Sequence, residues 1–128
     1  MKAVLMLLGS GSLQVNISED SLAKKYHEKV SNHSYWLENE QMNHCKCWTN
    51  DDDFTIWFAN DRWCIGDNKG KGTETCSIKA QGSSDQLPTD LDGQWLYWNP
   101  DSKEWIQAGN DIIVKFAEDL PYNKDSIE

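Results

Sequence analysis

From Ser34 onward the sequence becomes strand-like, in short segments with turn residues, Asn and Asp above all, between many of them. A period of two places successive side chains on opposite faces of an extended chain, so this pattern selects strands and rules out a helical bundle. The clearest case is Phe54-Thr55-Ile56-Trp57-Phe58, where Phe54, Ile56 and Phe58 share one face and Thr55 and Trp57 the other. Tyr35-Trp36-Leu37 opens one strand before it, and His44 to Trp48 forms another. Asn50-Asp51-Asp52-Asp53 turns the chain into 54–58, and Asn60-Asp61 turns it again into Arg62-Trp63-Cys64-Ile65. Asn and Asp tolerate the tight backbone of such turns, which makes the region a meander.

The flanks extend the same reading. Residues 3–8 and 13–17 are expected as two strands, the second with Leu13, Val15 and Ile17 alternating with Gln14 and Asn16. One helix is expected over 19–30: Ser18 is a plausible N-cap, Glu19 and Asp20 suit a first turn, and Leu22, Tyr26 and Val30 form a stripe. Residues 66–72 read as a glycine-rich loop, Thr75 to Ala80 as a strand, and 81–92 as a polar loop containing Pro88. Gln94 to Asn99 and Lys103 to Ala108 flank Pro100-Asp101-Ser102, where proline suits a type I turn. Asp111 to Phe116 is the last strand. The expected fold class is β-rich, all-β or α+β: a single antiparallel sandwich or small barrel with one helix in the N-terminal half. It spans residues 1–117, with 118–128 as an acidic tail.

Twelve basic against twenty-one acidic residues give a net charge of −9. Such a surface repels phosphate backbones, whose binding requires clustered Lys and Arg. The pair Lys24-Lys25 with Lys29 is diluted by Glu19, Asp20 and Glu28. Nucleic acid and anionic lipid are therefore not expected partners. No run approaches the roughly 18 apolar residues of a membrane span. The apolar stretch Ala3 to Leu8 follows Lys2, but it is shorter than the roughly 7–15 residues of a signal-peptide core. It reads as a buried strand, and the expectation leans to an intracellular protein. Asn16-Ile17-Ser18 and Asn32-His33-Ser34 match the glycosylation acceptor pattern, a triplet that arises easily by chance.

Four cysteines, Cys45, Cys47, Cys64 and Cys76, are candidates for two disulfides. Cys45 and Cys47 on a strand would share a face, which favours pairing with Cys64 and Cys76 over pairing with each other. A zinc site with His44 is disfavoured because no Cys-x-x-Cys knuckle is present. Asp51-Asp52-Asp53 lacks the glycine and distal glutamate of a calcium loop, and the glycines of 66–72 open onto no Gly-Lys-Ser/Thr sequence. No cofactor or metal is expected. His27, His33 and His44 fall in no hydrolase or metalloprotease motif, so no catalytic residue is assigned.

Seven tryptophans remain to be placed: Trp36, Trp48, Trp57, Trp63, Trp95, Trp98 and Trp105. With apolar residues at only 38%, about four or five of these rings are expected to fill the core. Trp95 and Trp98 lie an odd number of residues apart, so one of them points away from it. Trp57 does too if Phe54, Ile56 and Phe58 face inward. Uncovered indoles call for a partner. The expected function is a non-catalytic interaction module that presents aromatic side chains to a protein partner or to a second copy of itself. The alternative is a carbohydrate-binding module, with rings stacking on sugar faces and amides or carboxylates meeting hydroxyls. An enzyme using a dispersed carboxylate acid/base pair comes third. The candidate ligand-binding residues are Trp57, Asn60, Asp61, Gln94, Trp98 and Asn99, with Asp92 and Asp101 nearby. The stretch from Leu87-Pro88 through Gly93-Gln94-Trp95-Leu96-Tyr97-Trp98-Asn99 to Trp105 resembles a WW domain, a binder of proline-rich peptides. Its outer tryptophans are too close together for that family and no proline follows Trp105, so no function is carried over.

Overall fold

The computed structural model describes residues 11–117. The expected strand at 3–8 and the acidic tail at 118–128 lie outside the described residues. Within them, nine strands follow in the order β1 (Leu13–Ile17), β2 (Trp36–Leu37), β3 (Trp48–Thr49), β4 (Phe54–Phe58), β5 (Arg62–Asp67), β6 (Ile78–Gln81), β7 (Leu96–Asn99), β8 (Glu104–Gln107) and β9 (Ile112–Phe116). A single α-helix, α1 (Leu22–His27), lies between β1 and β2 and continues as a 3-10 turn over Glu28–Ser31. The β-rich fold class with one early helix is therefore observed.

Strands β2 to β8 form a seven-stranded antiparallel meander in sequence order, and β1 pairs with β9 in a second, two-stranded sheet. The two are linked where Leu13 and Tyr35 exchange backbone hydrogen bonds of 2.9 and 2.8 Å. Their inner faces share one core. Leu13, Val15, Ile17, Ile112 and Val114 from the ribbon meet Trp48, Ile56, Phe58, Trp63, Ile65, Ile78, Trp95 and Tyr97 from the meander. Alternation along β4 holds: Ile56 and Phe58 enter this core, whereas Trp57 faces the opposite side.

The β4–β5 connection shows why the sequence turns there. Asn60 and Asp61 both have positive φ, 51° and 63°, and Ala59 and Arg62 exchange backbone hydrogen bonds around them. Two consecutive left-handed residues between paired strands make a type I′ turn, which matches the strand twist and favours Asn and Asp over β-branched residues.

Several boundaries differ from expectation. Ser21 rather than Ser18 caps the helix, its hydroxyl accepting from Lys24 N at 3.1 Å. Ser18, Glu19 and Asp20 form a preceding turn closed by Ser21 N on Ser18 O. The buried stripe is Ala23 and Val30 with Tyr26 and His27 alongside, while Leu22 is 50% exposed. Leu22 sits one residue before Ala23, and so turns about 100° away from the face that Ala23 opens. The strand expected over 44–48 is reduced to Trp48–Thr49, because Asn43 and His44 take positive φ values of 55° and 69° that no strand accommodates. The strand expected over 75–80 begins only at Ile78.

Candidate functional site

Two patches on the outer face of the meander carry its unusual chemistry: a covered one around Trp57 and an open one at β7–β8.

Trp57 does not present its indole to solvent. It is fully buried in a small cluster with Cys47, Ala59 and Cys64, packed by Met42 and Cys76. The chain segments 40–47 and 68–77 close over it, and its indole N–H donates to Thr73 O at 2.8 Å. The expectation that Trp57 belongs to an exposed platform is thus corrected. Alternation sends it to the outer face, but two loops cover that face there.

Trp98 does project outward. It lies opposite Trp105 in the β7–β8 register, and the two rings meet edge to face with centroids 5.5 Å apart at 61°. Both are partly exposed. Directly cross-strand aromatic pairs of this kind contribute about 0.5–1.5 kcal/mol beyond their area. Leu96 shares their face, and Lys79 lies opposite Leu96 on β6. The Lys79 ammonium sits 4.1 Å from the centroid of the Trp105 ring, a cation–π contact. From behind, α1 props the hairpin. His27 Nε2 donates to Trp98 O at 2.7 Å, and the His27 ring meets Tyr97 edge-on at 6.3 Å. Burial holds the His27 imidazole below its ordinary range, an effect partly offset by that carbonyl. The Tyr26 hydroxyl bonds to the Asp101 carboxylate, which raises the phenol's pKa.

The remaining expected site residues do not gather around Trp98. Asn99 is buried, and its side-chain oxygen accepts from the backbone N–H of Asp101 and Ser102 at 2.9 and 3.1 Å. It shapes the turn and has no free acceptor face for a ligand. Asn60 and Asp61 form the β4–β5 turn, with Asn60 Nδ2 donating to Glu74 Oε2 at 2.7 Å. The register of β5 through β7 puts that turn and the exposed Gln94 toward the Gln81 end of β6, and Trp98 toward the Ser77 end. The six residues thus fall at three places.

Trp105, Lys79 and Leu96 were absent from the expected set. The sequence reading missed the Trp98–Trp105 pairing by one residue: with Lys103 in the strand, 98 falls opposite 104, but Lys103 takes φ 57° with its N–H on Asn99 O, which makes four loop residues and brings 98 opposite 105. Lys79 had no local signal, because its place beside Trp105 depends on β6–β7 pairing. A further outward indole, Trp36, is 51% exposed on the opposite edge strand of the same sheet.

The four cysteines, candidates for two disulfides or for buried thiols, are all free thiols. Cys45 and Cys47 do not share a strand face. Residues 45–47 are not part of a strand, and Cys45 enters the main core while Cys47 enters the Trp57 cluster. Burial pushes both thiols up. Among the described residues no group of three or more His, Cys, Asp or Glu side chains is arranged to hold a metal ion.

Comparisons with family models, with curated proteins and with solved structures found no match to this chain.

Proposed function

We propose that the chain is a non-catalytic interaction module whose β7–β8 corner docks a protein partner, with a second copy of the chain the first partner to test. The observation that supports this reading is the edge-to-face Trp98–Trp105 pair, partly exposed and backed by Leu96 and Lys79. Such a cluster offers rigid aromatic area with little side-chain entropy left to lose, which is the usual makeup of a binding hot spot. It also borders β8, whose outer edge pairs with no strand among the described residues. An unpaired edge beside anchoring rings lets a partner add backbone hydrogen bonds to apolar contact.

The same geometry argues against the carbohydrate reading. A sugar stacks on an open ring face, but Lys79 occupies a face of Trp105 and the two indoles are steeply tilted rather than coplanar. The amides and carboxylates expected to meet hydroxyls are committed to turns or lie at the other end of the sheet.

A photo-crosslinking phenylalanine analogue at position 107, exposed on the Trp105 face of β8, tests the proposal. Crosslinks to protein are expected there, weakened at least tenfold by Trp98→Ala, and absent when the same probe replaces Gln14 on the β1–β9 ribbon. Light scattering over a concentration series then separates a second copy from a different protein. Equal labelling from both positions would overturn the proposal, as would a saturable fluorescence shift with oligosaccharides that Trp98→Ala abolishes.

A further inference from the structure

The covered patch around Trp57 holds two thiols that the interaction surface does not use. Cys64 lies on the outer face of β5, and Gly66, two residues along, lies on the same face. Cys76 crosses directly over that glycine. A Cβ on Gly66 would fall 2.9 Å from Cys76 Cα, 3.1 Å from Cys76 Cβ and 3.3 Å from the Trp57 ring. Glycine at 66 therefore permits the close approach, and the backbone bond from Ser77 N to Ile65 O at 2.9 Å fixes it. Cys64 and Cys76 are thereby brought into the same cluster beside Trp57. Cys47 shares the cluster, but its thiol is directed to Glu40 O at 3.5 Å.

We propose that Cys64 and Cys76 are a redox-convertible dithiol, which a low-molecular-weight disulfide such as oxidised glutathione closes into an intramolecular bond stapling the 68–77 loop over Trp57. The two sulfurs have different roles. Cys76 is partly exposed and its pKa is lowered, first by the hydrogen bond from Cys64, with help from the Lys79 charge. Cys64 is fully buried and its pKa is raised, since it is the donor of that bond and is desolvated. Cys76 as thiolate attacks one sulfur of glutathione disulfide, whose S–S bond breaks and releases the first glutathione thiolate. Cys64 then loses its proton and attacks the Cys76 sulfur, expelling the second glutathione thiolate. The two protein protons end on the two glutathione thiols, and the two electrons lost by the cysteine pair reduce the one glutathione disulfide. In the dithiol form the loop is held only by contacts such as Trp57 Nε1 on Thr73 O. In the disulfide form it is tied covalently to β5.

Incubation of the folded full chain with oxidised glutathione, followed by peptide mapping, tests this. One linked peptide joining Cys64 to Cys76 is expected, with Cys45 and Cys47 alkylated only after denaturation, and dithiothreitol reverses it. Cys64→Ser is expected to stop at a glutathione adduct on Cys76, and Cys76→Ser to leave Cys64 unmodified. The oxidised wild-type chain is expected to unfold at a higher temperature than its own reduced form, a comparison that requires no variant to fold. A link through Cys47, a persistent glutathione adduct in the wild type, no reaction at saturating disulfide, or an unchanged unfolding temperature after closure would each overturn the proposal.

Discussion

His27 shows how one side chain can serve two elements. It is placed by α1, yet its polar contact is the carbonyl of Trp98 on β7, and its ring packs on Tyr97. Burial lowers its pKa from the ordinary 6.5, so the folded chain binds the proton less readily than the unfolded one. Between the folded and unfolded pKa values the unfolded state carries more protons, so stability falls as pH falls through that window. The urea midpoint is expected to decline as pH falls below the ordinary histidine value of 6.5, and less steeply in His27→Gln, whose amide can still donate to the Trp98 carbonyl. Equal slopes in the two proteins would rule out His27 as the titrating group. None of this was legible at position 27, since a histidine on a helix carries no sign of the strand that will accept its hydrogen bond.

At the scale of elements, the β4–β5 hairpin is the part the chain encodes most locally. Asn60 and Asp61 accept left-handed backbone that costs most L-residues roughly 1–2 kcal/mol, and Asp61 does so at φ 63°. Glycine there avoids the strain, so Asp61→Gly is expected to raise stability by about 0.5–1 kcal/mol, read from the urea midpoint. A destabilised variant would mean that the Asp61 side chain holds the turn by a contact outside its backbone. Strand periodicity likewise marked β1, β4, β5 and β9 close to their observed ends. It failed at 44–48, where alternating side chains suggested extension but the positive-φ turn at Asn43-His44 reaches into the start of the run. It also misplaced the helix cap, because Ser18 and Ser21 are equally good capping side chains. The choice between them fell to the turn closed by Ser21 N on Ser18 O.

For the whole molecule, the tryptophans sort into two classes. Trp48, Trp57, Trp63 and Trp95 are buried, while Trp36, Trp98 and Trp105 reach solvent. Acrylamide quenching is therefore expected to be biphasic, with an accessible fraction that shrinks stepwise in Trp36→Phe and Trp98→Phe and is unchanged in Trp57→Phe. A fully accessible population would contradict the covered Trp57 patch. The net charge of −9 is spread over a surface whose aromatic corner carries Lys79, so that corner is a local exception to the acidic whole.

Alternation and turn chemistry by themselves determined that this chain folds into antiparallel strands and that Trp95 and Trp98 point opposite ways. These follow from local geometry, because a strand's faces and a turn's dihedrals are set within a few residues. Only the tertiary structure decided which outward residues stay uncovered. Trp57 and Trp98 both leave the main core, yet loops 40–47 and 68–77 bury the first, while the second meets Trp105 and Lys79 in the open. Long-range packing settled that, since covering a face depends on where distant segments return, and no periodicity within the strand records it.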